Sequence, residues 1–288
     1  MTKRRTLLQR QQQLGEITSI INAMKNLAVL ETRKLGQRLE NLQAMLLGTE
    51  TLVADFFKFS PVDAAAPDPN RAELWILFGS ERGFCGDFNE VILESIQHRI
   101  ATTQAYALIS VGSRLHSVLT HSSLVNPVAV PGASLAEEIV PTLTRLMESV
   151  AVIESGQGGP GFQLSVMYHD HHSHKVVSQR LLPLAIEAPS AISVLNQPPH
   201  LYLSPDMLHR ELIHHYLFVA LQEIAVMSLM AENQHRIQHM EGAAQHLEKD
   251  LAALSRRYRQ LRQEEITEEI ELIALNAFGD SWGATSDA

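Results

Sequence analysis

Apolar residues recur every three and four positions from Leu7 to Phe56. Leu7, Leu14, Ile21, Ala28, Leu35 and Leu42 occupy one heptad position, and Ile17, Met24, Met45 and Leu52 occupy the other. This 3.5-residue period is that of a coiled-coil seam. A second ladder, Ile237, Met240, Ala244, Leu247, Leu251, Leu254, Tyr258 and Leu261, lies near the opposite end of the chain. Two helices distant in sequence are therefore written to wind around each other. The residues between them form a separate body carried on the hairpin, an arrangement suited to mechanical work or scaffolding.

The first helix is expected to stop at Ser60-Pro61, because the residue before proline leaves the helical region and Pro61 has no N–H to donate. PVDAAAPDPN then reads as a linker. After it, LWILF (74–78) reads as a buried strand and DFNEVILESIQHRI as an amphipathic helix. AYALISV is a strand, SRLHSVLTH a helix, LVNPVAV a strand, and SLAEEIVPTLTRLMESV a helix kinked at Pro141. ESGQGGPG is a loop, and QLSVMYH with KVVSQRLLPL makes an antiparallel hairpin at the edge of the sheet. The fold class is α/β plus a long antiparallel α-helical coiled coil, with a Rossmann-like open, largely parallel sheet inserted between the terminal helices. The shaft spans 1–60 and 204–280, the body 72–200 and a tail 281–288.

Ser204 and Pro205 suit the N-cap and first position of the second helix, which is expected to run until Gly279. At 1.5 Å per residue it is roughly 110 Å long, against roughly 80 Å for the first. If the first helix ends beside the start of the second, Met24 faces Ile237, Ile17 faces Ala244, Leu14 faces Leu247 and Leu7 faces Leu254. The same register sets Arg38 opposite Glu223 as a shaft salt bridge. Beyond Tyr258 the second helix has no partner from its own chain. It nonetheless carries Ile266, Ile270, Ile273 and Ala277 on one side and Leu272, Leu275 and Phe278 on others. A helix apolar on several faces must be enclosed, here by another protein.

Composition narrows the reading. The chain of 288 residues is 45% hydrophobic and 19% charged, normal for a folded protein. The longest apolar stretch, Tyr216–Ala231, is broken by Gln222 and Glu223 and falls short of the ~20 residues that cross a bilayer, so no direct membrane insertion is expected. Met1–Arg10 is basic but leads into heptads, not into the apolar core of a secretory signal. One cysteine, Cys85, excludes an internal disulfide and fits a reducing compartment. The net charge of −9 argues against nucleic-acid binding. Its distribution is uneven: residues 1–57 hold eight Lys/Arg against five Asp/Glu, and the basic run SRRYRQLR meets the acidic EEITEEIE. These runs read as solvated helix faces or as charge bands presented to a partner.

Candidate chemistry is sparse. ESGQGGPG lacks the Gly-Lys-Ser/Thr ending of a phosphate loop. His169, Asp170, His171, His172 and His174 are placed at an exposed hairpin tip without cysteine, and no metal site is assigned to them. Cys85 has no His partner nearby and reads as a packed residue. No catalytic residue and no cofactor is assigned.

SERGFCGDFN (80–89) follows a strand and resembles the [S/T]-[D/E]-R-G-[L/F]-C-G-x-[L/F]-N pattern of the gamma subunit of F-type ATP synthases, through Arg82, Gly83, Cys85, Gly86 and Asn89. ITSIINAMKNLAVLETRK is similar to the family's N-terminal signature at Ala23, Met24, Ala28, Arg33 and Lys34. AENQHRIQHMEGAA matches at Glu232, Arg236, Met240, Ala243 and Ala244, and LRQEEITEEIELI at Arg262, Gln263, Ile266, Thr267 and Glu269. The resemblance implies a non-catalytic central rotor shaft that couples transmembrane ion flow to conformational change in catalytic beta subunits. Its implied partners are the alpha and beta subunits of the hexamer, the epsilon subunit and the membrane c-ring. The implied location is peripheral, at the cytoplasmic face of a bacterial plasma membrane. By resemblance Met24, Arg236, Arg262 and Gln263 face the beta subunits. Glu31 and Glu241 stand where the family usually has other residues, Asp87 replaces a glycine, and the acidic net charge is unusual. These departures read as a divergent bacterial form, with the sodium-linked N-type ATPases as its suggested home. The alternative is an interaction scaffold with the same hairpin and α/β domain; an enzyme would need a ligand set or phosphate loop.

Overall fold

The computed structural model describes residues 2–60, 73–101, 106–122, 124, 127–156, 163–184, 197–198 and 200–283. The linker 61–70, most of the glycine-rich loop and the last residues of the tail lie outside the described residues. In chain order the elements are α1 (Thr2–Phe59), β1 (Glu73–Phe78), α2 (Phe88–Ile100), β2 (Tyr106–Val111), α3 (Ser113–Thr120), β3 (Val128–Val130), α4 (Ile139–Gly156), β4 (Gln163–Asp170), β5 (Lys175–Leu182) and α5 (Pro205–Gly283). The five strands form one sheet in the order β3-β2-β1-β4-β5. Four are parallel, and β5 runs antiparallel to β4 at the edge. This is the expected open sheet with a terminal hairpin.

The chain divides into two compact units, 27–239 and 1–26 with 240–288. In the first, alternation along β1 sends Leu74, Ile76 and Phe78 to one face of the sheet and Trp75 and Leu77 to the other. Trp75 and Leu77 meet Phe88, Ile92 and Ile96 of α2 and Leu115 and Leu119 of α3. The opposite face packs against α4, against Leu35, Leu39 and Leu42 of α1, and against Leu217, Leu221 and Ile224 of α5. A window of α5 is long and apolar enough to cross a membrane, with mean hydropathy 1.4, but 67% of it is buried. Packing against the sheet accounts for that apolarity. In the second unit, the less exposed α1 positions are 7, 11, 14, 15, 18, 21, 22, 24 and 25, and those of α5 are 240, 243, 244, 247, 251, 254, 255, 258, 261 and 265. The heptad set of Leu7, Leu14 and Ile21 is among them, but of the other set Ile17, Met45 and Leu52 are 44%, 45% and 59% exposed, so that half of the expected seam is not buried.

Several expectations need correction. A single 3-10 turn, Ala136–Glu138, precedes α4, and Pro141 sits in the first turn of that helix. An N–H there has no intrahelical acceptor, so the proline marks the helix start and not a kink. α5 runs through Gly279 to Gly283; a glycine inside a helix costs only about 1 kcal/mol and does not oblige it to stop. The register also differs. Phe57 at the end of α1 packs edge-on against His209 at 5.3 Å, more than a turn inside α5, so the helix ends are not level. Lys25 Nζ likewise meets Glu241 at 2.5 Å, five residues further along α5 than a register facing Arg38 with Glu223 would place it. Arg4 pairs with Glu265 at 2.9 Å, so α1 accompanies α5 well past Tyr258.

Candidate partner-binding site and its anchorage

Sequence-identified motifs meet where β1 turns into α2. Ser80 and Asn89 are buried and lock the turn: Asn89 Oδ1 accepts the Ser80 N–H at 3.0 Å, and Asn89 Nδ2 donates to Ser80 Oγ at 2.8 Å. A Cβ on Gly79 would lie 2.4 Å from Leu115 Cβ, so only glycine lets the strand end pass α3. Gly86 has φ +64°, a conformation that favours glycine. Phe84 adopts φ 67° without being glycine, and the residue is 59% exposed. Cys85 is buried with its thiol against the Arg82 carbonyl at 3.6 Å, and burial pushes that thiol above its ordinary pKa. It packs, as expected, and is not poised as a nucleophile.

The loop is tied on two sides. Glu81 Oε2 accepts the N–H groups of Ser113 at 2.8 Å and Gly132 at 2.7 Å, and its Oε1 accepts from Ser113 Oγ at 2.7 Å. From α5, Arg236 donates to Glu232, to Asn233 Oδ1 at 2.8 Å and to the Gly83 carbonyl at 3.3 Å. Glu232 in turn accepts the backbone N–H groups of Arg82 and Glu81. Burial pushes the Glu232 carboxyl upward, opposed by Arg236 and by those N–H groups.

The expected contact residues separate. Arg262 and Gln263 are exposed on α5 and Met24 is half-buried on α1, all in the unit formed by the chain's two ends. Arg236 belongs to the other unit and is 6% exposed. Its guanidinium is turned inward to serve Glu232, so the expected outward contact is not the one it makes. The buried carboxylate requires a cation beside it. Arg38 and Glu223 do not pair either. Arg38 Nη1 donates to the Ala136 carbonyl at 2.9 Å, and Glu223 lies near Gln43, where burial pushes its carboxyl upward despite the bond from that amide. The five-residue shift in register separates them.

His169 is not at the hairpin tip. It is buried, stacked on Phe88 at 3.9 Å, with Nε2 donating to the Phe88 carbonyl at 2.7 Å and its ring edge-on to His235 at 5.5 Å. Burial lowers its pKa to about 4. His172 and His174 are exposed and His171 is half-buried. Among the described residues no group of three or more His, Cys, Asp or Glu is placed to hold a metal ion. An open groove of about 750 Å³ runs beside β5, lined by Glu94, His98, Arg99, Val176 and Ser178 without converging acid–base groups.

Glu81, Glu31 and the full role of Glu232 escaped the sequence reading. One signal was available: an acid and a base four residues apart, Glu232 and Arg236, directly after an apolar run, mark a pair turned toward each other.

A family model described as ATP synthase matches residues 3–275. The ATP synthase gamma chain of Clostridium beijerinckii is 24% identical over 263 residues, 88% of this chain and 90% of its own length. That of Clostridium acetobutylicum is 24% identical over 260 residues, 87% and 89%. Among solved structures, a chain of the Euglena gracilis mitochondrial ATP synthase complex of OSCP, F1 and c-ring superposes with TM-score 0.65 at 13% identity, covering all of this chain and 97% of that one. A chain from the central stalk and c-ring of the Tetrahymena thermophila mitochondrial enzyme gives 0.62 at 19% identity, covering 78% and 99%.

Proposed function

This chain belongs to the ATP synthase family, as a relative of its gamma chains and with the fold of the rotor's central stalk, and from that premise we propose how it works as the rotor shaft. It has no catalytic step of its own. The outer end of the helix pair stands inside a ring of alternating alpha and beta subunits, and the α/β body stands toward the epsilon subunit and the membrane c-ring. The assembly is peripheral, at the cytoplasmic face of a bacterial membrane. Rotation of an asymmetric helix pair changes the conformation of the catalytic beta subunits and so couples ion flow to ATP synthesis or hydrolysis.

One observation carries this reading. Past its ion pair with Arg4, α5 continues with Ile266, Ile270, Leu272 and Ile273 at 46%, 60%, 61% and 69% exposure. Apolar side chains on several faces of one helix call for an enclosing sleeve. The side chains of Leu275, Ala277 and Phe278 lie outside those described. Capture with the tagged full chain should recover an alpha/beta hexamer; recovery of the chain with unrelated partners and no hexamer favours the scaffold instead. In the reconstituted complex, Gln263→Leu and Met24→Lys should assemble and keep nucleotide binding but lose ion pumping out of proportion to hydrolysis. A strictly proportional fall makes these residues ordinary packing positions.

A further inference from the structure

Each long helix grips the α/β body by the same chemical device. On α1, Glu31 Oε2 accepts the Ala136 N–H at 3.3 Å and Arg38 Nη1 donates to the Ala136 carbonyl at 2.9 Å, so one peptide residue is held by both its polar groups. Glu31 and Arg38 are seven residues apart and therefore on one face of the helix. On α5, Glu232 accepts the N–H groups of Glu81 and Arg82 while Arg236 donates to the Gly83 carbonyl. Both grips use a carboxylate for N–H and a guanidinium for C=O. Glu31, Glu232 and Arg236 are all buried. The four side chains and their backbone targets all lie in the unit 27–239.

Resting on the rotor reading above, we propose that Glu31 with Arg38 and Glu232 with Arg236 are torque anchors: positioning residues that fix the rotational setting of α1 and α5 against the sheet. The apolar contacts at the same interface are non-directional, and a helix can turn a few degrees about its axis with little change in buried area. Hydrogen bonds weaken steeply once bent, so four side chains holding fixed peptide groups resist such a turn. A shaft driven at one end and loaded at the other needs that resistance, and apolar packing alone supplies little of it. Glu31, unusual beside the family's motif, has this specific task.

The test uses the full chain and its reconstituted complex. Glu31→Met/Arg38→Met and Glu232→Met/Arg236→Met replace each anchor by apolar groups of similar length that neither accept nor donate, which keeps the core filled. Ile92→Val, a buried residue of α2 that makes none of the anchor hydrogen bonds, serves as a stability control. In the isolated chain, amide exchange at Ala136, or at Glu81 and Arg82, should rise about tenfold while β1 stays protected, the loss expected for a charge-assisted bond. In the complex, the ratio of ion pumping to hydrolysis should fall roughly threefold with either anchor removed and stay unchanged in Ile92→Val. An unchanged ratio in both anchor variants, or an equal fall in a control of matched melting loss, overturns the proposal. If exchange responds as expected but the unaltered chain captures no hexamer, the rotor reading falls and takes the torque role with it.

Discussion

Among the described residues of the unit formed by 1–26 and 240–288, only Met240 and Ala244 are buried, whereas the unit 27–239 holds two extensive cores. The same two helices contribute to both. In the first unit each helix can hide only the stripe that faces its partner, and Ile17 and Ile20 remain 44% and 60% exposed. In the second, a sheet and α4 add a further layer, and α5 is closed on several sides from Tyr216 to Ala231. A heptad pattern thus specifies partnership, while the number of layers sets how much a given leucine contributes.

Truncation should expose that contrast most strongly. Leu35 is fully buried between α1 and the sheet, so Leu35→Ala should cost about 3 to 4 kcal/mol. Leu247 occupies the thin seam and is only half-buried, so Leu247→Ala should cost about 1 kcal/mol. Urea melts of both variants check this; equal losses would mean that the two units are packed alike.

Acid should act on the thick unit through His169. Its folded pKa is lowered to about 4 from 6.5, so between those values the unfolded chain takes up a proton that the native chain refuses. Stability therefore falls as pH drops across that window, by up to about 1.4 kcal/mol per pH unit. His169→Gln, which keeps a donor for the Phe88 carbonyl, should flatten that part of the stability–pH curve. An unaltered slope would place the proton elsewhere. Serine at the exposed His172 and His174 together should change stability by less than about 0.5 kcal/mol, as for surface sites.

The histidines also show what periodicity leaves unread. β4 and β5 were legible as two strands close enough in sequence to pair as a hairpin, but the last buried residue of β4 was not, because His169 belongs to the strand and His171, His172 and His174 to the turn. The helices, the strand order's parallel character and the edge hairpin followed from local patterns. Register did not, since heptads repeat and a hairpin of distant helices has no short turn to fix the offset. Charged residues inside the thick unit were misread for a related reason. Arg38, Glu31 and Arg236 bind backbone groups far away in sequence, and no spacing rule reports a bond to Ala136 or Gly83. The motif loop 80–89 was found by resemblance, while its ties to Ser113 and Gly132 required the fold.

The smallest effect tests the register of the thin unit. Lys25 and Glu241 lie 2.5 Å apart across the seam at 25% and 48% side-chain exposure, and the bond to Lys25 lowers the Glu241 pKa. Exposed pairs contribute little and are screened by salt, so the informative quantity is the pattern across variants. Lys25→Glu alone should place two carboxylates together and lower protection of the amides around Met240–Ala244 at low ionic strength. Adding Glu241→Lys restores an opposite pair and should recover most of that protection. At about 1 M salt, where the screening length is roughly 3 Å, the three proteins should converge. Under the register that faces Arg38 with Glu223, positions 25 and 241 are more than a helical turn out of step, and the second substitution could not rescue the first. A double variant no better protected than Lys25→Glu would return the seam to that earlier alignment.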